Sequence, residues 1–145
     1  MRLFVWACVV AARPRRAVVP VAVNTWPMPV NYYVNVSSFG ADATAAVESV
    51  LKATAAIETA ASGITFKRHL SPSGVTIQGN PELCLRLIGH QPVNEILLSP
   101  ACARSPGVVL HELMHTLGFR HEQDHPNRSL FLTVSPDISL YTEDW

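Results

Sequence analysis

His111-Glu112-Leu113-Met114-His115-Thr116-Leu117-Gly118-Phe119-Arg120-His121-Glu122 is the stretch on which the reading of this chain turns. Two histidines four residues apart on a helix project from one face about one turn apart, so both imidazoles reach a single ion. If the helix ran on, His121 would be rotated by about 240° from His115 and point elsewhere. Gly118 removes that obstacle, because glycine takes positive φ, ends a helix and lets the chain swing back so that His121 closes on the metal. Three histidines with a fourth position left for water is the pattern of a catalytic zinc rather than a structural one. Glu112 stands beside the first histidine, where its carboxylate can take a proton from water attacking a peptide carbonyl. A bare His-Glu-x-x-His also arises in ordinary amphipathic helices as a surface or core pair. The added glycine and third histidine narrow that alternative.

The rest of the chain is ordinary globular material: 145 residues, 48% hydrophobic and 15% charged, with a formal net charge of zero, which suits one domain or part of one. No basic stripe interleaved with aromatics is present to track a phosphate backbone, so nucleic acid is not an expected partner. No apolar run approaches the roughly 18 residues needed to span a bilayer. Residues 1–16 read as a signal and processing segment. Leu3 to Ala12 is apolar, follows Arg2 and ends in two small residues, as a short secretory signal does. Arg13-Pro14-Arg15-Arg16 has the form of a proprotein-convertase site. The alternative for the apolar run is a first buried strand. Cleavage after Arg16 removes four of the eleven basic residues and none of the eleven acids, leaving a net charge of −4.

From Trp26 onward the pattern predicts strands and helices in alternation. Val30 to Val36 is rich in β-branched and aromatic residues and reads as a first strand. Asp42 is placed to cap a long alanine-rich helix over 42–61, with Val47, Val50, Leu51, Thr54, Ile57 and Ala61 as its buried face. Gly63 closes that helix, and further strands are expected at Ile64–Arg68, Val75–Gln78, Cys84–Ile88 and Asn94–Ser99. Ser105 and Pro106 suit the cap and first turn of the histidine helix, with Val108, Val109, Leu110, Leu113 and Leu117 as its apolar flank. His69, His90 and His125 lack ligand spacing and read as loop, surface or near-site residues.

The run His111 to Arg128, HELMHTLGFRHEQDHPNR, resembles the zinc signature of the astacin family of metzincin endopeptidases, in which Gly-Phe-x-His-Glu-Gln follows the helix. The resemblance extends over about residues 17–134. It implies zinc bound by His111, His115 and His121, Glu112 as general base, and Glu122 as acceptor for the amino group of a processed N-terminus. Ala17 would supply that amino group, so the buried charge pair could form only after cleavage. The family usually has arginine at the position of His125 and aspartate at that of Asn127, a departure that weakens a local salt-bridge network. An alternative third ligand is Glu143, as in metallopeptidases whose ligand comes from a later helix; the Gly118-x-x-His121 turn argues for His121.

The same resemblance implies an α+β fold: a zincin-like N-terminal subdomain with a twisted mixed sheet, a long backing helix and an active-site helix. Residues 17–145 would be the peptidase domain, shortened on its C-terminal side, because the family's methionine turn and zinc-proximal tyrosine have no counterpart among Met1, Met28, Met114 and Tyr141. Asn94–Ser99 is similar to the family's edge strand, along which an extended polypeptide substrate docks as an added strand; the alternative is a buried strand. Cys84 and Cys102 match the family's short disulfide. With Cys8 lost in the signal they leave an even pair, suited to a secreted protein; two free thiols in a reducing compartment are the alternative. The family's longer disulfide lacks its first cysteine here, near Ser62 or Gly63. The expected activity is that of a secreted zinc endopeptidase, the rival being a shortened or degenerate relative that binds zinc or peptide without catalysis.

Overall fold

The computed structural model describes residues 26–121 and Leu130. Alternation in Val30-Asn31-Tyr32-Tyr33-Val34-Asn35 gives strand β1 (Val30–Asn35), whose first, third and fifth residues are buried. A 3-10 stretch, Val36–Asp42, leads into helix α1, Ala43–Ala60. Three strands follow, β2 (Phe66–His69), β3 (Val75–Gly79) and β4 (Leu85–Arg86), then β5 (Glu95–Leu98), the short helix α2 (Pro100–Ala103) and helix α3 (Pro106–Thr116). The strands form one sheet in the order β2-β1-β3-β5-β4. All neighbours run parallel except β4, which is antiparallel to β5. This is the mixed sheet with backing and active-site helices expected of an α+β fold.

A single core joins the sheet to the helices. Val30, Tyr32 and Val34 of β1, Val75 and Ile77 of β3, and Ile96 and Leu98 of β5 share it with Val50, Ala53 and Ile57 of α1 and Val109 and Leu113 of α3. Because side chains alternate along a strand, each strand commits one set to this core and the other set outward. Among the described residues no helix is long and apolar enough to cross a membrane.

Three expectations are corrected. The buried face of α1 is Ala46, Ser49, Val50, Ala53, Thr54 and Ile57. Leu51 is 45% exposed, and Val47 and Ala61 are half-buried. The stripe is rotated because α1 lies against α3 as well as the sheet, and its Cα atoms come within 8 Å of that helix, a separation that favours small side chains. Asp42 occupies the cap position of α1 without a side-chain capping bond; its carboxylate instead accepts from the Arg104 guanidinium. The third correction concerns the rim. The strand at Asn94–Ser99 is not an edge, since β5 lies between β3 and β4, with Leu85 opposite Leu97 and Arg86 opposite Ile96. The open edge on that side is β4, shorter than the predicted Cys84–Ile88.

Cys84 and Cys102 form a disulfide, with Cα atoms 6.3 Å apart, that fastens the approach to β4 onto α2. The turn into β3 depends on Gly74. Its φ is +62°, and a Cβ there would lie 2.0 Å from the Asn31 carbonyl oxygen. Gly74→Ala is therefore expected to destabilise the chain by more than about 2 kcal/mol in a denaturant melt. Gly107→Ala, in α3 with nothing within 4 Å of its new methyl, should be neutral or stabilising by up to about 1 kcal/mol.

Candidate metal centre

Helix α3 begins as its sequence dictates. Ser105 is its N-cap, the side-chain oxygen accepting from the Val108 N–H at 3.4 Å, and Pro106 occupies the first turn, where its missing N–H costs nothing. Val109 and Leu113 are fully buried, which fixes the rotation of the helix about its axis. His111 and His115 then share the neighbouring face.

The end of α3 decides where the third histidine goes. Gly118 has φ +99°, its N–H donates to the His115 carbonyl at 2.9 Å, and the Phe119 N–H donates to the Met114 carbonyl at 3.1 Å. These are the two bonds of a Schellman termination, which turns the chain sharply away from the helix axis. His121 is thereby carried back over the helix. Its Nε2 lies 3.1 Å from that of His111 and 3.0 Å from that of His115, and the His111–His115 separation is 3.0 Å.

This triangle fits a zinc ion. Tetrahedral zinc with bonds of about 2.0–2.1 Å sets its ligand nitrogens roughly 3.3–3.4 Å apart, within a few tenths of an ångström of what is found. The proton positions agree. His115 Nδ1 sits 2.7 Å from the Phe119 carbonyl oxygen, which can only accept, so Nδ1 carries the hydrogen and Nε2 presents a lone pair. Burial, then the neighbouring rings of His115 and His121, push the His111 pKa down to about 4. Burial also lowers that of His115, against the raising effect of its bond to Phe119. Both rings are thus neutral near pH 7, the form a metal requires.

Glu112 lies on the same turn and is 6% exposed. Burial raises its pKa to about 7, the nearby Arg86 charge opposing the rise. Arg86 is itself 5% exposed. Its Nε donates to the Thr116 hydroxyl at 3.0 Å, and its Nη2 donates to the Gly89 carbonyl at 2.9 Å and to Asn94 Oδ1 at 3.0 Å. Two further bonds hold the last turn of α3: Gly89 N–H to the His115 carbonyl at 2.8 Å, and Trp26 Nε1–H to the Thr116 carbonyl at 2.8 Å.

The family model of astacin (peptidase family M12, subfamily A) matches residues 19–140. The chain belongs to the astacin family. Among curated astacin-like relatives, the zinc metalloproteinase dpy-31 of Caenorhabditis elegans is 43% identical over 54 residues, 35% of this chain and 9% of that protein. Zinc metalloproteinase nas-27 of the same organism is 28% identical over 131 residues, 87% of this chain and 29% of that protein. The matched stretches thus span less than a third of the length of these relatives. In fold, the chain is similar to high choriolytic enzyme 1, a hatching enzyme zinc-protease from Oryzias latipes, with a TM-score of 0.56 and 22% identity over 70% of this chain and 48% of that one.

Within this astacin-like site the structure brings together His111, His115 and His121, with Glu112 buried beside them on α3. Glu122, Ala17, His125, Tyr141 and Glu143 lie outside the described residues, as do the signal and processing segment and Cys8. His69 and His90 stand apart from the cluster. His69 Nε2 donates to Asn31 Oδ1 at 2.9 Å, and His90 packs on Trp26 with ring centroids 4.3 Å apart. Sequence reasoning missed Arg86. The local signal pointed the other way, since alternation places Leu85 and Leu87 inward and Arg86 outward, whereas the leucines are 50% and 58% exposed and Arg86 is buried.

The buried carboxylate makes the metal-free protein pH-sensitive in a definite direction. Because Glu112 is raised from 4.5 to about 7, the folded chain holds a proton that the unfolded chain has released, so stability falls as pH rises through that window. The depressed histidines act oppositely, removing stability as pH falls below 6.5, in the case of His111 toward about 4. Metal-free Glu112→Gln should therefore melt about 5 °C or more above the parent at pH 8. The gap should close near pH 4, as measured by thermal denaturation in chelator.

Proposed function

We propose that this chain is a secreted zinc-dependent endopeptidase that hydrolyses peptide bonds, with His111, His115 and His121 holding the metal and Glu112 as general base. The observation that carries this reading is the convergence of three imidazole nitrogens within 3.1 Å of one another. Zinc bound there supplies Lewis acidity, which lowers the pKa of water to about 7 and polarises a carbonyl. The Glu112 carboxylate accepts the proton of the attacking water and returns it to the leaving amine. An extended polypeptide docks along β4, whose outer edge offers unpaired backbone groups. The Cys84–Cys102 disulfide supports an oxidising, extracellular setting.

Zinc removal by a chelator and re-addition should abolish and restore cleavage of casein. Glu112→Ala should retain zinc but lose cleavage by at least about 100-fold. His121→Ala should weaken zinc retention by more than about 100-fold, while Glu143→Ala leaves it unchanged. Zinc retention without cleavage by the parent chain would instead assign the protein to metal or peptide binding without catalysis.

The reading includes maturation: residues 1–16 are removed, residues 17–145 form the peptidase domain, and the Ala17 amino group meets Glu122 in a pair that exists only after the cut. N-terminal sequencing of secreted material should begin at Ala17. Any other start leaves Glu122 without its proposed partner.

A further inference from the structure

Arg86 is a charged group on the inward face of a two-residue edge strand, and the three-histidine cluster makes no use of it. Burying a guanidinium is costly unless its donors are met, and three bonds here tie together elements far apart in sequence. Nε reaches Thr116 in the last turn of α3, and Nη2 reaches Gly89 and Asn94 at the two ends of the turn that connects β4 to β5. The acceptors are themselves fixed. The Thr116 hydroxyl donates to the Glu112 carbonyl at 3.2 Å while accepting from Arg86. Asn94 Oδ1 also accepts from the Gln91 N–H at 2.8 Å, and Asn94 Nδ2 donates to the Gln91 carbonyl at 2.6 Å. By contrast β4 meets β5 over only two residue pairs, and its Leu85 is 50% exposed. The Cys84–Cys102 disulfide anchors the start of this edge to α2 and the Gly89 N–H reaches the His115 carbonyl, but among the described residues Arg86 is the side chain that joins β4 itself to both the following turn and α3.

We propose that Arg86 is a positioning residue, whose buried guanidinium locks the edge strand β4 and its following turn to the last turn of the histidine helix and so sets the height of the peptide-docking rim above the metal site. The proposal rests on the endopeptidase reading for its functional consequence, but the lock itself is a statement about the fold. Nη1 makes no hydrogen bond, so the lock acts through Nε and Nη2 alone. A lysine, with one nitrogen, can keep the charge but cannot span Thr116, Gly89 and Asn94 together.

Two substitutions test this in the full chain loaded with zinc. Thr116→Val removes one acceptor while keeping side-chain volume and all charges; Arg86→Lys keeps the cation and removes the fork. Amide hydrogen exchange should accelerate at least about tenfold at residues 85–98 in both variants and stay unchanged in β1 and at Ile77 of β3. Zinc affinity should remain within about threefold of the parent. For a peptide long enough to lie along β4, KM should rise about tenfold with kcat nearly constant, whereas a short reporter amide that does not reach the rim should lose less than about twofold. Unchanged exchange at 85–98, or an equal rise throughout the sheet, would overturn the lock, the second outcome making Arg86 a general core stabiliser. An equal loss on long and short substrates would overturn its link to the rim. Should the parent chain cleave neither substrate, the endopeptidase reading fails separately, and the exchange pattern still decides whether Arg86 locks the edge.

Discussion

Everything near the metal centre depends on holding three neutral imidazoles with their lone pairs directed at one point. Such groups repel unless a cation occupies the point or a hydrogen bond joins a pair of them, and three nitrogens in a triangle cannot all be satisfied by mutual hydrogen bonds. The geometry must therefore be imposed from outside the cluster. Helical spacing supplies two rings, the Gly118 reversal supplies the third, and the bond from His115 to the Phe119 carbonyl fixes a tautomer. The carbonyls of His115 and Thr116 are in turn held by Gly89 and Trp26. A helix end is normally its most frayed part. Here it is among the most heavily bonded.

What the sequence made legible was chemistry written in short spacings. The histidine triad, the Gly118 reversal, the Ser105 cap with Pro106 and the course of β1 and β3 all follow from residues within about ten positions of one another. The features that escaped it depend on partners remote in the chain. Leu51 fits a helical stripe as well as Ala53 does, and only the nearness of α3 says which is buried. Asp42 is a good cap by type, yet Arg104 claims its carboxylate from 62 residues away. Whether β5 is an edge turns on where Leu85 and Arg86 pair, and a strand expected at Cys84–Ile88 does not by itself name its partner.

Glu112 and Arg86 show how a site can hold opposite charges in a buried setting without bonding them to each other. Each shifts the other toward its charged form, while burial pushes both toward neutrality, taking Arg86 down to about 10 and Glu112 up to about 7. Arg86 is then anchored by neutral acceptors rather than by the carboxylate. Among the described residues no ion pair commits Glu112 to a cation, which suits a proton acceptor.

The three histidines fall within eleven consecutive residues, whereas the groups that brace them are drawn from Trp26, Arg86, Gly89 and Asn94. Closing so short a loop carries a small entropic penalty, but bringing parallel strands together requires contacts distant along the chain, which form slowly. The three-histidine segment is thus the part of the molecule that can organise first. A divalent ion captured by that segment would bias a nascent chain toward the Gly118 reversal before the sheet is complete.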